Sequence, residues 1–109
     1  MAGDNHIPQG RGEIWFAAAP GGDRPVLVVT RDPVASRIGC VVVAALTRTR
    51  RGLVSEVYLT TADGVPTECV VNFDNLHTIP RDRFRRRITR LPPSRLAEAC
   101  HALAESAGC

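Results

Sequence analysis

RGEIWFAAAPGGDRPVLVVT, residues 11–30, decides the fold of this chain. Two apolar runs lie within it, Ile14 to Ala19 and Val26 to Thr30, and a Pro-Gly-Gly segment at residues 20–22 joins them. Runs of this length, bounded by glycine and proline, are typical of strands, and a short connection between two of them indicates a hairpin.

The second strand of this hairpin is preceded by an Arg-Pro pair. Pro25 has a fixed φ and no backbone N–H, so it is predicted to be the first residue of the strand, with Arg24 held extended just before it. An arginine held at the end of a sheet, next to a glycine loop, is well placed to meet a phosphate.

Length and composition limit the class of protein. A chain of 109 residues is expected to form one domain, residues 1–109, with a flexible start at residues 1–10. No apolar run approaches membrane-spanning length and the start lacks the features of a secretory signal, so a cytoplasmic location and no membrane partner are expected. The four cysteines are widely spaced and form no CxxC pair, so neither a zinc site nor a disulfide framework is predicted.

The charge of the chain is compatible with a nucleic-acid partner. The formal net charge is +3, and the 14 basic residues are all arginines. Guanidinium groups match the geometry of phosphate oxygens, which suits RNA or DNA. Avoidance of lysine also arises from genome composition, so both interpretations remain open.

Further strands are predicted in the middle of the chain. The run Ile38 to Leu46 is the most apolar and is expected to be a central strand. Ser55 to Thr60 alternates polar and apolar residues, as a neighbouring strand does. The next two runs, Glu68 to Phe73 and Leu76 to Ile79, are separated by an Asp-Asn pair at 74–75, which predicts a bulge.

The last third adds a short edge strand and one helix. Residues 80–84 are predicted to form a helical turn and Arg85 to Leu91 an edge strand. Six arginines lie between Arg81 and Arg90, and they form either a solvated edge or a phosphate-binding track. An amphipathic helix is predicted from Pro93 to a stop at Gly108, with four residues at helical spacing: Leu96, Cys100, Leu103 and Ala107. The chain is therefore predicted to be mainly β, of the α+β type.

No catalytic constellation follows from motif rules alone. The chain has no Walker loop, HExxH, nucleophile elbow or GxGxxG. Among the histidines, His77 follows the Asp-Asn pair and either lines a site or is an ordinary strand histidine. Trp15 and Phe16 point to opposite faces of their strand, and Trp15 is expected in the core.

The order of several segments resembles the MazF/PemK family of toxin endoribonucleases. RGEIW, RPVLVV, VVVAALT, NLHTIPRDRF and ITRLP follow one another before a final helix, and the resemblance extends from Arg11 to about Ala107. It implies a small SH3-like β-barrel with short helices and a C-terminal helix, in a homodimer. It also implies cleavage of single-stranded RNA at short sequences, with no metal or other cofactor, and inhibition by a cognate MazE-like antitoxin.

The resemblance also implies roles for individual residues. Arg24 and Thr47 correspond to the catalytic pair of the family, and a guanidinium beside the cleaved phosphate would stabilise the charge that develops there. Asn75 corresponds to a residue that reads bases or positions the substrate. Four further residues are assigned to substrate binding with it: Gly22, Asp23, Arg48 and Asp74.

The sequence departs from the family pattern at two places, and other interpretations of the site and of the function are open. The first loop lacks the Gly-Ser-Glu-Gln stretch common in the family, so one proposed acid–base group is missing, and Asn75 replaces a glutamine. Arg24 could instead be a surface arginine paired with Asp23 or Glu13, and Thr47 an ordinary residue at a strand end. The alternative function is a non-catalytic toxin on the same fold, resembling the CcdB-type gyrase poisons.

Overall fold

The computed structural model describes residues 8, 10–30 and 39–106. This part of the chain contains six strands, two 3₁₀ turns at Thr61–Asp63 and Arg81–Arg83, and one helix. The strands and the helix are β1 (Glu13–Ala19), β2 (Gly22–Val28), β3 (Cys40–Thr47), β4 (Glu56–Leu59), β5 (Cys69–Pro80), β6 (Phe84–Arg90) and α1 (Pro93–Ser106).

The six strands form one antiparallel sheet in the order β4-β5-β3-β2-β1-β6. The predicted mainly β class with a C-terminal helix is confirmed. The sheet curls into a half-barrel, and β4 and β6 are its two edges within the described residues. The most apolar run of the sequence is indeed an inner strand, β3, because its side chains are covered on both faces.

Each face of the curled sheet carries its own apolar core. One core includes Leu27, Ala44 and Leu46, and α1 covers it with Ala99 and Ala102. The core on the opposite face contains eight buried residues: Trp15, Ala17, Val26, Val28, Val41, Val43, Ile79 and Phe84. The predicted burial of Trp15 is confirmed, and its indole N–H donates to Glu13 Oε1 at 2.8 Å. Consecutive residues of β2 and β3 therefore serve different cores.

The predicted boundaries of the second strand were wrong. β2 begins at Gly22 rather than at Pro25, and it includes Arg24. The reason lies in the pairing, because the ladder between β1 and β2 runs from Ala19 opposite Gly22 to Ile14 opposite Leu27. The ladder between β2 and β3 starts only at Val26, so Pro25 lies where β2 has a single paired neighbour.

The bulge predicted at residues 74–75 is present within a single long strand, β5. Opposite β3, Ala45 pairs with Asn72 and Ala44 pairs with Leu76. Residues 73–75 of β5 are therefore inserted opposite two consecutive residues of β3, and this bulge changes the direction of their side chains. The bulge is held by the Ser55 carbonyl, which accepts from the Phe73 N–H at 2.9 Å.

The last third follows the predicted order, a 3₁₀ turn, an edge strand and a helix. The four arginines of β6 are exposed, as expected for an edge. In α1, Ala99 and Ala102 are the most buried residues, whereas Leu96, Cys100 and Leu103 are only partly buried. The predicted helix end at Gly108 lies outside the described residues. So does most of the start predicted to be flexible, although Pro8 and Gly10 are described and are buried.

Candidate functional site

Arg24 and Thr47 lie at the same end of the sheet. The ladder between β2 and β3 pairs Leu27 with Ala44 and Val26 with Ala45. The ladder ends there, and the same register continued by two residues places Arg24 opposite Thr47. Directly opposed residues of an antiparallel pair share a face, so both side chains point to the same side of the sheet.

These two side chains line one cavity of about 140 Å³. Its wall contains two arginines, two threonines and two asparagines, and no carboxylate or imidazole among the residues that the structure describes. Such a wall attracts anions and offers them hydrogen-bond donors. The wall residues are Arg24, Ala45, Thr47, Thr49, Arg51, Asn72 and Asn75.

One N–H donor of the Arg24 side chain, that of Nε, is buried and makes no hydrogen bond in the described part of the chain. Gly21 packs on the guanidinium, because a Cβ at this glycine would lie 2.8 Å from Arg24 Nη2. Of the two carboxylates proposed as alternative partners, Asp23 Oδ2 is 3.2 Å from Arg85 Nε, and Glu13 accepts from the Trp15 indole N–H. A buried donor without a partner indicates a place for a ligand oxygen.

The polar wall opposite Arg24 is oriented by local hydrogen bonds. Thr47 Oγ1 accepts the N–H of Thr49 at 3.2 Å, which leaves the Thr47 hydroxyl hydrogen available to donate. Asn72 Oδ1 accepts the N–H of Asp74 at 2.9 Å, which leaves its NH₂ group as a donor. The bulge brings Asn75 onto the same wall. The site therefore presents several donors on one side of the sheet.

Four residues assigned to substrate binding lie off this wall, as far as the structure describes it. Gly22 is the exposed first residue of β2, and Asp23 forms the ion pair with Arg85. Asp74 accepts from Ser55 Oγ at 2.5 Å, across from the bulge. Arg48 points to the other face of the sheet, because it alternates with Thr47 at the end of β3.

Arg48 lines a second, larger depression of about 360 Å³, which we call the Phe16 groove. Thr47 belongs to both walls, so the groove adjoins the cavity at the end of β3. Burial raises the pKa of the Cys69 thiol, Asp63 raises it further, and the charge of Arg48 opposes the change. The wall of the groove consists of Phe16, Pro25, Leu46, Thr47, Arg48, Val65, Pro66, Thr67, Cys69, Arg86 and Ile88.

Three polar residues of the wall were not predicted from the sequence: Thr49, Arg51 and Asn72. The sequence does contain a signal for Thr49 and Arg51. In a strand every second residue points to the same face, so residues 49 and 51 continue the face of Thr47 beyond the end of β3. Asn72 is the one polar residue between Cys69 and Phe73. A polar residue inside such a run is a candidate for a site, since burial without a partner is costly.

The described residues show neither a membrane span nor a metal cluster. Within the described ranges, no helix has the length and apolar character that a membrane crossing requires. In the same part of the chain, no three His, Cys, Asp or Glu side chains are grouped so that they could hold a metal ion.

Residues 10–107 match the family model described as PemK-like, MazF-like toxin of type II toxin-antitoxin system. The chain belongs to this family. The resemblance drawn from the sequence is thus confirmed, and the chain is a MazF-like toxin endoribonuclease of a type II toxin–antitoxin system. This MazF-like chain is 73% identical over 100 residues to the probable endoribonuclease MazF2 of Mycobacterium tuberculosis, which covers 91% of this chain and 98% of the relative.

Solved structures of the MazF family agree with this fold. The Mycobacterium tuberculosis toxin MazF-mt6 matches with a TM-score of 0.80 and 33% identity, over 88% of this chain and 96% of that one. An endoribonuclease in complex with its cognate antitoxin, from a mycobacterial species, matches with a TM-score of 0.81 and 27% identity. That match covers 93% of this chain and 96% of the other.

Proposed function

We propose that this MazF-like toxin cleaves single-stranded RNA at a short recognition sequence, with Arg24 and Thr47 as the catalytic pair. The observation that carries the proposal is the buried Arg24 Nε, which has no partner in the described residues and lies in the wall that also contains Thr47. Such an arrangement is costly for an unbound protein. It is repaid when an anionic oxygen occupies the cavity.

The proposed reaction is attack of the RNA 2′-hydroxyl on the adjacent phosphorus. The bond between O2′ and phosphorus forms as O2′ loses its proton to solvent. The bond between phosphorus and O5′ breaks, and O5′ takes a proton from solvent, which yields a 2′,3′-cyclic phosphate and a 5′-hydroxyl. Negative charge grows on the phosphoryl oxygens, and the fixed guanidinium of Arg24 stabilises it. The Thr47 hydroxyl donates a hydrogen bond to the same group. The wall supplies charge stabilisation without a carboxylate in the described residues.

The remaining wall residues select and hold the substrate in this proposal. The amides of Asn75 and Asn72 pair with exposed base edges, as single-strand recognition requires. The second guanidinium, of Arg51, adds a contact to the RNA backbone. Gly22, Asp23, Arg48 and Asp74 lie off this wall and remain proposed substrate contacts.

The toxin is further proposed to act as a homodimer in the cytoplasm and to be blocked by a MazE-like antitoxin. A relative of the same fold is described in complex with its cognate antitoxin, which supports this part of the proposal. Inhibition of translation follows if messenger RNA is the target.

Cleavage assays with Arg24→Ala test the proposal. Purified wild-type protein is expected to cut RNA in the presence of EDTA, and to leave 5′-hydroxyl ends that a kinase labels without prior phosphatase treatment. Arg24→Ala is expected to lower kcat by about a hundredfold or more, because one preorganised donor is lost. Its melting temperature should stay close to that of the wild type. Undiminished cleavage by this variant would contradict the assignment, and intact RNA together with trapped gyrase–DNA complexes would favour a gyrase poison.

A further inference from the structure

The Phe16 groove and the candidate cavity open on opposite faces of β3. Ala45 lines the cavity, Leu46 lines the groove, and Thr47 lies at the end of the strand where the two meet. A strand of RNA with its scissile phosphate at Thr47 therefore reaches the groove by crossing the end of β3. No other wall residue belongs to both depressions in the described part of the chain.

The chemistry of the groove combines flat apolar surface with positive charge. Phe16 is partly exposed, and the guanidinium carbon of Arg86 lies 5.4 Å from the centre of its ring. Arg48 supplies a second guanidinium, and the described wall contains no carboxylate. A ligand that matches this surface has a flat aromatic part and a negative charge. A nucleotide has both, since bases stack on aromatic rings and guanidinium planes while phosphates bind arginine.

We propose that the Phe16 groove binds the nucleotide that flanks the cleaved step, with its base against Phe16 and Arg86 and its phosphate near Arg48. The inference rests on the proposed function, because it takes RNA as the substrate and Thr47 as part of the cleavage site. It extends the site from one face of the sheet to both. It also gives Arg48 a definite role, in the groove rather than in the cavity.

Affinity measurements with matched arginine variants test the groove. The probe is a single-stranded RNA of the recognised sequence with a 2′-deoxy sugar at the cleavage position, so that it binds without being cut. Arg86 stands opposite Phe16 in the ladder between β1 and β6, whereas Arg87 stands opposite Trp15 and so points to the other face. Arg86→Ala is expected to weaken binding about tenfold, and Arg87→Ala, which removes the same charge from the same strand, by no more than about twofold.

Shortening the RNA shows whether a flanking nucleotide is the ligand. The penalty of Arg86→Ala should disappear when the nucleotide on one side of the cleaved step is removed, and should persist when the other side is shortened. Phe16→Leu keeps the apolar volume and loses the ring, so it should weaken binding of the long RNA only. Equal losses for Arg86→Ala and Arg87→Ala would reduce the effect to general charge and overturn the proposal.

Cys69 provides a readout that needs no substitution. Its thiol lies on the groove wall, and burial raises its pKa, so it is expected to react slowly with iodoacetamide near neutral pH. Saturating RNA should slow this alkylation further and leave that of Cys40, at the other end of β3, unchanged. Unchanged labelling of Cys69 under saturating RNA would overturn the proposal, and protection by an acidic antitoxin peptide instead would assign the groove to a protein partner.

Absence of cleavage by the wild type would contradict the proposed function, whereas cleavage that depends on Arg24 but not on Arg86 would contradict the groove alone.

Discussion

The guanidinium of Arg24 occupies space that only a glycine leaves open. Gly21 has a φ of +91°, and a Cβ added to it would lie 2.8 Å from Arg24 Nη2. Gly21→Ala is therefore expected to push the guanidinium out of its place in the cavity and to lower kcat by about tenfold or more. The assay is single-turnover cleavage of RNA, combined with a thermal melt.

Substitution of the neighbouring glycine, Gly22, distinguishes the effect of backbone strain from the effect of the contact between Gly21 and Arg24. Gly22 has a φ of +118°, and no heavy atom lies within 4 Å of an added Cβ. Alanine at either position costs about 1–2 kcal/mol for its left-handed backbone, so both variants should lose similar stability. The larger loss of cleavage is expected for Gly21→Ala. An equal loss for both variants would show that strain, not the contact with Arg24, controls the rate.

Single residues also show what the sequence could and could not reveal about the site. Arg24 and Thr47 were predicted through the family resemblance, and their opposition then follows from one pair, Val26 with Ala45, in a regular ladder. The burial of Arg24 Nε was not predictable, because it depends on how Gly21 packs on the side chain. The roles of both residues remain proposals.

The connection between β3 and β4 is a loop that a single carboxylate holds in place. Glu56 Oε1 accepts the N–H of Arg51 at 3.1 Å and that of Leu53 at 3.2 Å. The Glu56 N–H in turn donates to the Leu53 carbonyl at 3.1 Å. Because Arg51 is part of the cavity wall, the carboxylate positions a cationic wall residue without being on the wall itself.

Removal of this carboxylate should loosen the loop. Glu56→Ala is expected to cost about 1–2 kcal/mol of unfolding free energy, measured by urea denaturation, since two hydrogen bonds to backbone N–H groups are lost at a partly exposed site. Cleavage should fall through a higher KM, because Arg51 is no longer fixed. Glu68→Ala is the control, since the ion pair of Glu68 with Arg50, at 3.9 Å, is exposed. A change in KM of the same size in both variants would indicate loss of negative charge rather than loss of the loop anchor.

The presence of a strand could be predicted from a local sequence pattern. The residues at which a strand begins and ends could not be predicted where pairing with a neighbouring strand decides them. The Asp-Asn pair at 74–75 indicated a bulge, because both residues disfavour a regular strand, and β5 has that bulge. β2 begins three residues earlier than its proline suggested, because β1 supplies a partner for every residue from Gly22 to Leu27. A sequence pattern does not contain this information about the neighbouring strand.

At the scale of the whole molecule, Arg95 joins the helix to the sheet. Its Nε lies 3.1 Å from Asp63 Oδ1, and its terminal nitrogens donate to Glu98 and to the Tyr58 carbonyl. The side chains of Arg95 and Asp63 are only 25% and 12% exposed, so this ion pair is shielded from solvent more than the ion pairs of Arg50, Arg83 and Arg85. α1 packs over the core that contains Leu46, whose strand ends at Thr47.

Arg95→Ala is therefore expected to destabilise the whole fold. Loss of the guanidinium leaves the carboxylate of Asp63 poorly compensated and frees the N-terminal half of α1, at a cost of about 2 kcal/mol, below the full value for a buried pair because both groups keep some exposure. Urea denaturation followed by circular dichroism measures this loss. Arg83→Ala is the matched control, because Arg83 contacts Asp82 at 3.9 Å with both side chains more than half exposed, and it should change stability little.

Since Arg95 lies outside both candidate walls in the described residues, the kcat of Arg95→Ala measured well below the melting temperature should stay near that of the wild type. A large loss of kcat in a fully folded Arg95→Ala protein would instead mean that the position of α1 controls the cleavage site through the core it covers.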